Sequence, residues 1–375
     1  MRLERRLEQP RWLSVAVPLG SLAVAFGIMA VILAVTGHDP WQTYRDIVDA
    51  GFTGNGAMTY TLVSATPILF TGLAAAAAFR MQLFNIGAEG QLYLGAIGAA
   101  WIALQMGDHG FTSTPLFVIA MCLAAALLGG LWALIPGVLR AFANTNEILT
   151  SLMLNYVAGY LLTYLIFDSA SYWRDTSTLN ARSFPQGKPM PEASNWYTFG
   201  DSVVVPLGFV IGLAVAVGLW FLYSRMRFGF EVGVIADSPR AARYAGMRTR
   251  RKILAVMGIS GAIAGLGGAS QIGEFAHTLD GSPQGMQAAA FGYTGIVVAA
   301  LARYNPIAVC VVAVVIGGLQ NAGAFLQGPD FPSGLVGVMQ GIILFCALGG
   351  ELFVRYRIRL TRRSPRETRA PEPAR

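Results

Sequence analysis

The chain contains 375 residues, of which 54% are hydrophobic and only 13% are charged, and its mean hydropathy is +0.53. A water-soluble domain has about 25% charged residues, so this chain cannot cover the surface of a soluble globule. The composition excludes a cytosolic enzyme, a secreted disulfide-bonded scaffold and a disordered regulator. It predicts an all-α polytopic membrane protein, each helix containing about 20 apolar residues.

The net charge of +7 comes from basic clusters that flank the apolar segments. Four arginines precede residue 12, eight basic residues lie in 225–252, and eight lie in 355–375. Cations at the ends of apolar segments set membrane orientation. The charge therefore indicates topology and not binding to nucleic acid.

Apolar segments bounded by charge, proline or polar clusters predict about ten transmembrane helices. They are 13–36, 57–79, 86–106, 115–140, 147–168, 202–224, 253–275, 288–303, 306–326 and 333–354. The first is too long for the core of a cleavable signal peptide. With the basic N-terminus inside, this count leaves 23 basic residues in the cytoplasm and four outside. We therefore expect a multi-pass protein of the inner (cytoplasmic) membrane with both termini cytoplasmic.

The predicted organisation is a basic N-terminus (1–12), a transmembrane domain (13–355) and a basic cytoplasmic tail (356–375). Two loops are longer than turns: 169–200 outside and 225–252 inside. For the outer loop two interpretations remain open. It forms a structured lid or docking surface, or it is an interfacial loop with Trp173, Trp196 and Tyr197 at the lipid headgroups.

The sequence gives little support for catalysis or a metal site. Cys122, Cys310 and Cys346 lie singly in apolar segments, where small buried side chains are expected. There is no Walker A motif, so the chain has no phosphate loop for ATP. The segment Gly258-Ile-Ser260-Gly261 resembles the serine turn of intramembrane proteases, which needs a histidine within hydrogen-bond reach of the serine. The nearest histidine in sequence, His277, is 17 residues away, about 25 Å along a helix. We predict no enzymatic activity, no catalytic residue, no metal and no cofactor.

The most unusual segment is Phe-Asn-Ile-Gly-Ala-Glu-Gly-Gln at 84–91, which contains Asn85, Glu89 and Gln91. A carboxylate in the hydrocarbon region must face a partner, a cavity or water. Transporters place substrates at helix breaks of this kind. Two interpretations stay open: a substrate pathway and a hydrated cytoplasmic elbow. In contrast, Gly261-x-x-x-Gly265 predicts close helix packing.

A second polar group begins at Asn146, which is predicted to cap a helix, with Glu147 at its positive end. Asn155 lies two turns further into the membrane, where its amide needs a neighbouring helix or a polar ligand. Gln320 and Asn321 raise the same question.

In the inner loop, Ser238 is a predicted N-cap, Pro239 a first helical residue and Gly246 a C-terminal stop. The pattern predicts a short basic amphipathic helix on the cytoplasmic membrane surface. In a transporter without its own ATP site, a motor subunit would push on such a helix.

These motifs resemble a known family. Ala241-Ala242-x-x-x-Gly246 is similar to the EAA-x-x-x-G coupling loop of ATP-binding cassette (ABC) importer permeases, with Arg240 where the family has Glu. The 84–91 segment, Asn146-Glu147 with Met153-Leu-Asn-Tyr156, and Gly292-Tyr-Thr-Gly295-Ile-Val-Val-Ala299 resemble the nucleoside-import branch of the ribose and branched-chain amino acid permease class. The resemblance covers about 15–355.

The resemblance implies the transmembrane permease subunit of an ATP-driven importer for a nucleoside or related ribose-containing solute. The implied partners are a cytoplasmic ABC ATPase, a second homologous permease and a periplasmic or lipoprotein solute-binding protein, besides membrane lipid and the small-molecule solute itself. Coupling to the ATPase is then assigned to Asp237, Ser238, Pro239, Arg240, Ala241, Ala242, Ala245 and Gly246.

The implied substrate pathway contains Asn85, Glu89, Gln91, Asn155, Tyr156, Phe291, Tyr293, Gln320 and Asn321. The aromatic rings offer faces to a base, although packing is the alternative for them. Two other functions remain open: a simple-sugar or branched-chain amino acid ABC permease, and an ion-coupled secondary carrier that would rely on Glu89.

Overall fold

A computed structural model describes residues 2–5, 13–168, 171–177, 185–282, 285–327, 337–339, 341–343, 345–346, 349–350 and 356–359. The chain forms two compact units: Met1–Trp41 with Gly337–Arg375, and Gln42–Val336. Part of the predicted N-terminus, part of the predicted span 333–354 and most of the predicted tail lie outside the described residues.

The described secondary structure is mainly helical. The α-helices are α1 (Leu13–Val35), α2 (Pro40–Val48), α3 (Ala57–Phe79), α4 (Ala88–Asp108), α5 (Thr114–Ala143), α6 (Glu147–Phe167), α7 (Leu207–Arg225), α8 (Arg227–Asp237), α9 (Pro239–Tyr244), α10 (Thr249–Ser270), α11 (Met286–Ala289), α12 (Phe291–Leu301) and α13 (Pro306–Phe325). Two antiparallel pairs join β1 (Arg2–Arg5) to β4 (Tyr356–Arg359) and β2 (Thr198–Phe199) to β3 (Val205–Pro206). Short π-helical segments are Asp49–Thr53 and Gln271–Ala276, and Glu192–Ser194 is a 3-10 turn.

Among the described residues, six helices are long and apolar enough to cross a membrane. They are α3, α5, α6, α7, α13 and the continuous segment Thr249–Ala276, which begins with α10. Counting Ala23–Val35 and Pro40–Thr53 as one broken span gives seven. A multi-pass helical protein is therefore confirmed, but the predicted count of about ten spans is not.

The burial of one predicted span and the division of another into two helices explain much of this difference. Helix α4 begins and ends within two residues of the predicted span 86–106, but it lies among other helices and carries Glu89 and Gln91. A helix enclosed by protein need not be as apolar as one that faces lipid. The predicted span 288–303 is divided at Ala290, whose φ of +48° separates α11 from α12.

Glycines bring α4, α5 and α10 into close contact. Gly95 and Gly129 face the backbone of Gly265, and Gly261 faces that of Gly129. A Cβ atom added at Gly129 would stand 2.8 Å from the Gly265 Cα, inside any normal contact distance. The packing interpretation of Gly261-x-x-x-Gly265 is confirmed, since any side chain there would push the helices apart.

The described part of the predicted outer loop is folded against the rest of its unit. Arg174 and Gly187 form an isolated β-bridge, as do Pro189 and Thr278. The backbone N–H of Trp196 donates to the Gly273 carbonyl at 2.9 Å, and Trp196 is only 6% exposed. The Trp196 ring therefore packs against Gly273 and does not project from the surface of the chain.

Candidate functional site

The elbow between α3 and α4 is held by a closed pair of amides. Asn85 Nδ2 donates to Gln91 Oε1 at 3.0 Å, and Gln91 Nε2 donates back to Asn85 Oδ1 at 2.9 Å. Asn85 also donates to Ser260 Oγ at 2.9 Å, and Ser260 donates to the Ala74 carbonyl at 2.7 Å. Both amides are buried, so their hydrogen bonds are made to protein groups and not to bulk water.

Asn155 caps the start of α4 from a neighbouring helix. Its Oδ1 accepts from the Gly90 N–H at 2.9 Å, a first-turn donor that has no partner within α4. Its Nδ2 donates to the Ile86 carbonyl at 2.8 Å and to the Tyr293 hydroxyl at 3.3 Å. The buried amide of Asn155 therefore has its hydrogen-bond partners on neighbouring parts of the protein, which is one of the two alternatives that the sequence left open.

Glu89 links the first turns of α4 and α12. Its Oε1 accepts from the Tyr93 hydroxyl and its Oε2 from the Gly292 N–H, both at 2.5 Å. The carboxylate thus lies at the positive end of α12, where an anion is favoured. Gly292 is required here because a Cβ atom would collide with the Glu89 backbone. The buried carboxylate has partners at both oxygens.

The aromatic candidates divide by exposure. Phe291 is buried, whereas Tyr156 and Tyr293 are exposed. Tyr156 belongs to a stripe along α6 in which Tyr156, Tyr160 and Tyr164 are 57%, 75% and 61% exposed. Sequence analysis missed Tyr160 and Tyr164, although the four-residue spacing of the tyrosines is a signal for one helical face.

Gln320 and Asn321 lie on α13, and the contacts of Asn321 are with a different segment. Asn321 Nδ2 donates to the carbonyls of Ala50 and Ala57 at 3.1 and 3.3 Å. It thereby ties α13 to the connection between α2 and α3. The structure thus brings Asn85, Glu89, Gln91, Asn155 and Tyr293 close to one elbow and leaves Asn321 at another.

The helix predicted in the inner loop is α9, and its caps are confirmed. Ser238 Oγ accepts from the Ala241 N–H at 3.3 Å, and Pro239 is the first helical residue. Gly246 has φ +73° and donates to the Arg243 carbonyl at 3.0 Å. The helix ends at Tyr244, slightly before the predicted stop.

Most of α9 is exposed. Of the assigned coupling residues, Asp237, Pro239, Arg240, Ala241, Ala245 and Gly246 are exposed, Ser238 is half-buried and Ala242 is buried. Tyr244 is 94% exposed. Helix α8, which precedes α9, was not predicted, although its buried Val232 and Ile235 have helical spacing.

The remaining candidates for chemistry have structural contacts. Ser260 is committed to the bonds with Asn85 and Ala74. Across the described parts of the chain, no three His, Cys, Asp or Glu residues are grouped so that they could hold a metal ion.

The family described as the permease component of branched-chain amino acid transport systems matches residues 57–348. The chain belongs to this family. A glucose ABC transporter permease protein of Haloferax volcanii is 32% identical over 96% of this chain and 93% of the relative. A guanosine ABC transporter permease protein of Bacillus subtilis is 32% identical over 88% and 91%. A nucleoside ABC transporter permease protein of Lactococcus lactis is 28% identical over 88% and 90%.

Membership confirms the resemblance seen in the sequence. The chain is the permease subunit of an ABC importer, a multi-pass protein of the inner membrane. In this family ATP hydrolysis takes place on a separate ATPase subunit, and a substrate-binding protein completes the importer.

Proposed function

We propose that this permease subunit carries a nucleoside, or a related ribose-containing solute, into the cell. The observation that carries the proposal is the 32% identity to a guanosine permease over 88% of this chain and 91% of that protein. A match of this extent covers α3 to α13 together and does not depend on one motif. A nucleoside combines a planar base with a neutral, hydroxyl-rich sugar, and such a solute needs aromatic faces and uncharged polar groups.

The proposed pathway residues have two roles. Asn85, Glu89, Gln91 and Asn155 already have intrachain partners, and we assign them to holding the elbow in shape. Tyr156 and Tyr293 offer exposed ring faces beside that elbow, and we assign them to the base of the solute. Phe291 supports this region by packing. Gln320 and Asn321 contribute polar groups from α13.

Coupling is proposed at α9 and its flanks, Asp237–Gly246. The helix is capped at both ends, exposed over most of its length and anchored by the buried Ala242. A rigid exposed helix of this kind suits docking to a cytoplasmic ATPase. We further propose that both termini and 225–252 are cytoplasmic, because the basic residues divide 23 to four.

The remaining partners follow from the proposed topology. The segment 169–200 would face the periplasm and receive a periplasmic or lipoprotein solute-binding protein. A second homologous permease would complete the pathway. The exposed tyrosine face of α6 gives that pathway an aromatic wall.

The decisive test is ATP hydrolysis by the reconstituted importer with its binding protein. Guanosine, adenosine and uridine are compared with glucose, ribose and leucine. We expect nucleosides to stimulate hydrolysis and leucine to have no effect. Stimulation by leucine alone would contradict the proposed cargo, and uptake without any ATPase would indicate an ion-coupled carrier.

A simple sugar is the second candidate cargo. The observation that favours it is the 32% identity to a glucose permease over 96% of this chain. The two cargoes are distinguished by competition: excess glucose should leave labelled guanosine uptake unchanged if the transported solute is a nucleoside.

A further inference from the structure

A basic cavity lies between the ends of α5, α8, α9 and α10. Its volume is about 820 Å³. Five arginines line it: Arg140, Arg243, Arg248, Arg250 and Arg251. Among the described residues that form its wall, none is acidic. Such a concentration of cations around one space favours an anionic occupant.

Four of these arginines are available to a ligand. Arg140 is engaged with Glu147 at 3.2 Å and with the Thr145 carbonyl. Within the part of the chain that the structure describes, the other four form no ion pair. Arg250 lies over the Phe142 ring, with its Cζ 5.2 Å from the ring centroid, which holds the guanidinium at the cavity wall.

The start of α10 adds neutral donors to the same cavity. Thr249, its first residue, has a buried hydroxyl that makes no hydrogen bond to any described residue. The backbone N–H groups of Arg250 and Arg251 lie in the first turn of this 22-residue helix, and Arg248 provides no side-chain cap. First-turn N–H groups and the helix dipole favour a phosphate group.

The position of the cavity at the ends of two candidate spans favours a lipid as the source of the phosphate. Arg140 and Phe142 belong to the last turn of the span Thr114–Ala143, and Thr249 begins the span Thr249–Ala276. Two candidate spans therefore end at this cavity, and the ends of spans are where lipid headgroups are expected. Its wall is also partly apolar, since Leu83 and Ile253 line it together with the arginines, as an acyl chain near its glycerol would require.

We propose that this cavity binds the phosphate headgroup of an anionic phospholipid. The Arg243, Arg248, Arg250 and Arg251 guanidinium groups neutralise the phosphate, and the Thr249 hydroxyl donates to it. Because Pro239 and Arg243 belong to α9, the bound headgroup also holds α9 against the starts and ends of the neighbouring spans. The proposal does not rest on the identity of the transported solute.

The test measures lipid binding to the purified full chain by native mass spectrometry. Phosphatidylglycerol and phosphatidylcholine are titrated separately, and inorganic phosphate is added in a third series. The variant is Arg250→Gln with Arg251→Gln. The matched control is Arg225→Gln with Arg227→Gln, which removes the same charge from exposed arginines that do not line the cavity.

We expect the chain to prefer phosphatidylglycerol over phosphatidylcholine. A basic residue near an anionic lipid contributes about a fivefold change in affinity, so the cavity variant should weaken this binding by about 25-fold and the control by less than about fivefold. Equal binding of the two lipids, or equal losses in the two variants, would overturn the proposal. So would arginine-dependent binding of inorganic phosphate without any phosphatidylglycerol binding.

Thr249→Val gives an independent readout that does not depend on charge. Removing an unpaired buried hydroxyl should leave the lipid-free chain equally or more stable. The same variant should bind phosphatidylglycerol several-fold more weakly. The lipid proposal is wrong if phosphatidylglycerol binding is unchanged both in Thr249→Val and in the cavity variant. If the cavity variant then also fails to bind the ATPase, the cavity receives an acidic surface of the ATPase.

Discussion

Replacing Asn155 by Leu should destabilise the helix assembly, because the amide caps α4 from another helix. In Asn155→Leu the Gly90 N–H and the Ile86 carbonyl lose their partners at 2.9 and 2.8 Å. Gly90 is buried and Ile86 is half-buried, so neither group regains full hydration.

Two magnitudes decide the size of the effect. A side-chain hydrogen bond between membrane helices contributes about 0.6 kcal/mol on average. A buried backbone group left without a partner costs about 1–3 kcal/mol. The second effect dominates here, since both partners are backbone groups that cannot rotate away. We therefore expect Asn155→Leu to lower the free energy of unfolding by about 2–4 kcal/mol.

The assay is unfolding of the purified chain in mixed micelles with increasing denaturing detergent. Tyr293→Phe is the control, because it removes only the 3.3 Å contact with Asn155 and keeps both backbone bonds. We expect this control to change the free energy of unfolding by less than about 1 kcal/mol.

Two results would refute the capping argument. The first is unfolding of Asn155→Leu at the same denaturant concentration as the unchanged chain. The second is normal stability of this variant together with lost nucleoside-stimulated ATP hydrolysis, which would place the amide in contact with the solute.

Three further predictions concern glycines and the buried carboxylate. Gly95→Ala should lower stability by more than about 2 kcal/mol, since its Cβ collides with α10, while Gly218→Ala, with open space, should be neutral or stabilising in the same unfolding assay. Gly246→Val should fold but lose co-purifying ATPase or stimulated hydrolysis, because the φ of Gly246 is +73°, where a β-branched residue is strained. Gly233→Ala on α8, where an added Cβ has open space, should retain both. Full activity of Gly246→Val would mean that the ATPase couples to another part of the chain. Glu89→Gln should lower the unfolding midpoint. ATP-dependent uptake should not respond to a proton gradient, either in the unchanged chain or in this variant. Uptake that is driven by a proton gradient and disappears in Glu89→Gln would instead support an ion-coupled carrier.

The sequence by itself determined the helix caps and stops, because their hydrogen-bond partners lie within a few residues along the chain. Asn146 accepts from the Ile148 N–H, as its position before α6 predicted. Ser238 and Gly246 begin and end the α9 region because a cap and a left-handed residue act over one turn. The composition identified a membrane protein for a similar reason, since hydrophobicity summed over 20 residues does not depend on neighbours.

Only the tertiary structure decided the roles of the polar residues inside the membrane. The partners of Asn155, Asn85 and Glu89 lie 65, 175 and 203 residues away in sequence. A single sequence cannot tell whether such a group meets a helix or a solute, because both satisfy the same hydrogen bonds. The same holds for α4, whose polar residues are tolerated because other helices enclose it, and for the arginine cavity, where the ends of separate helices meet.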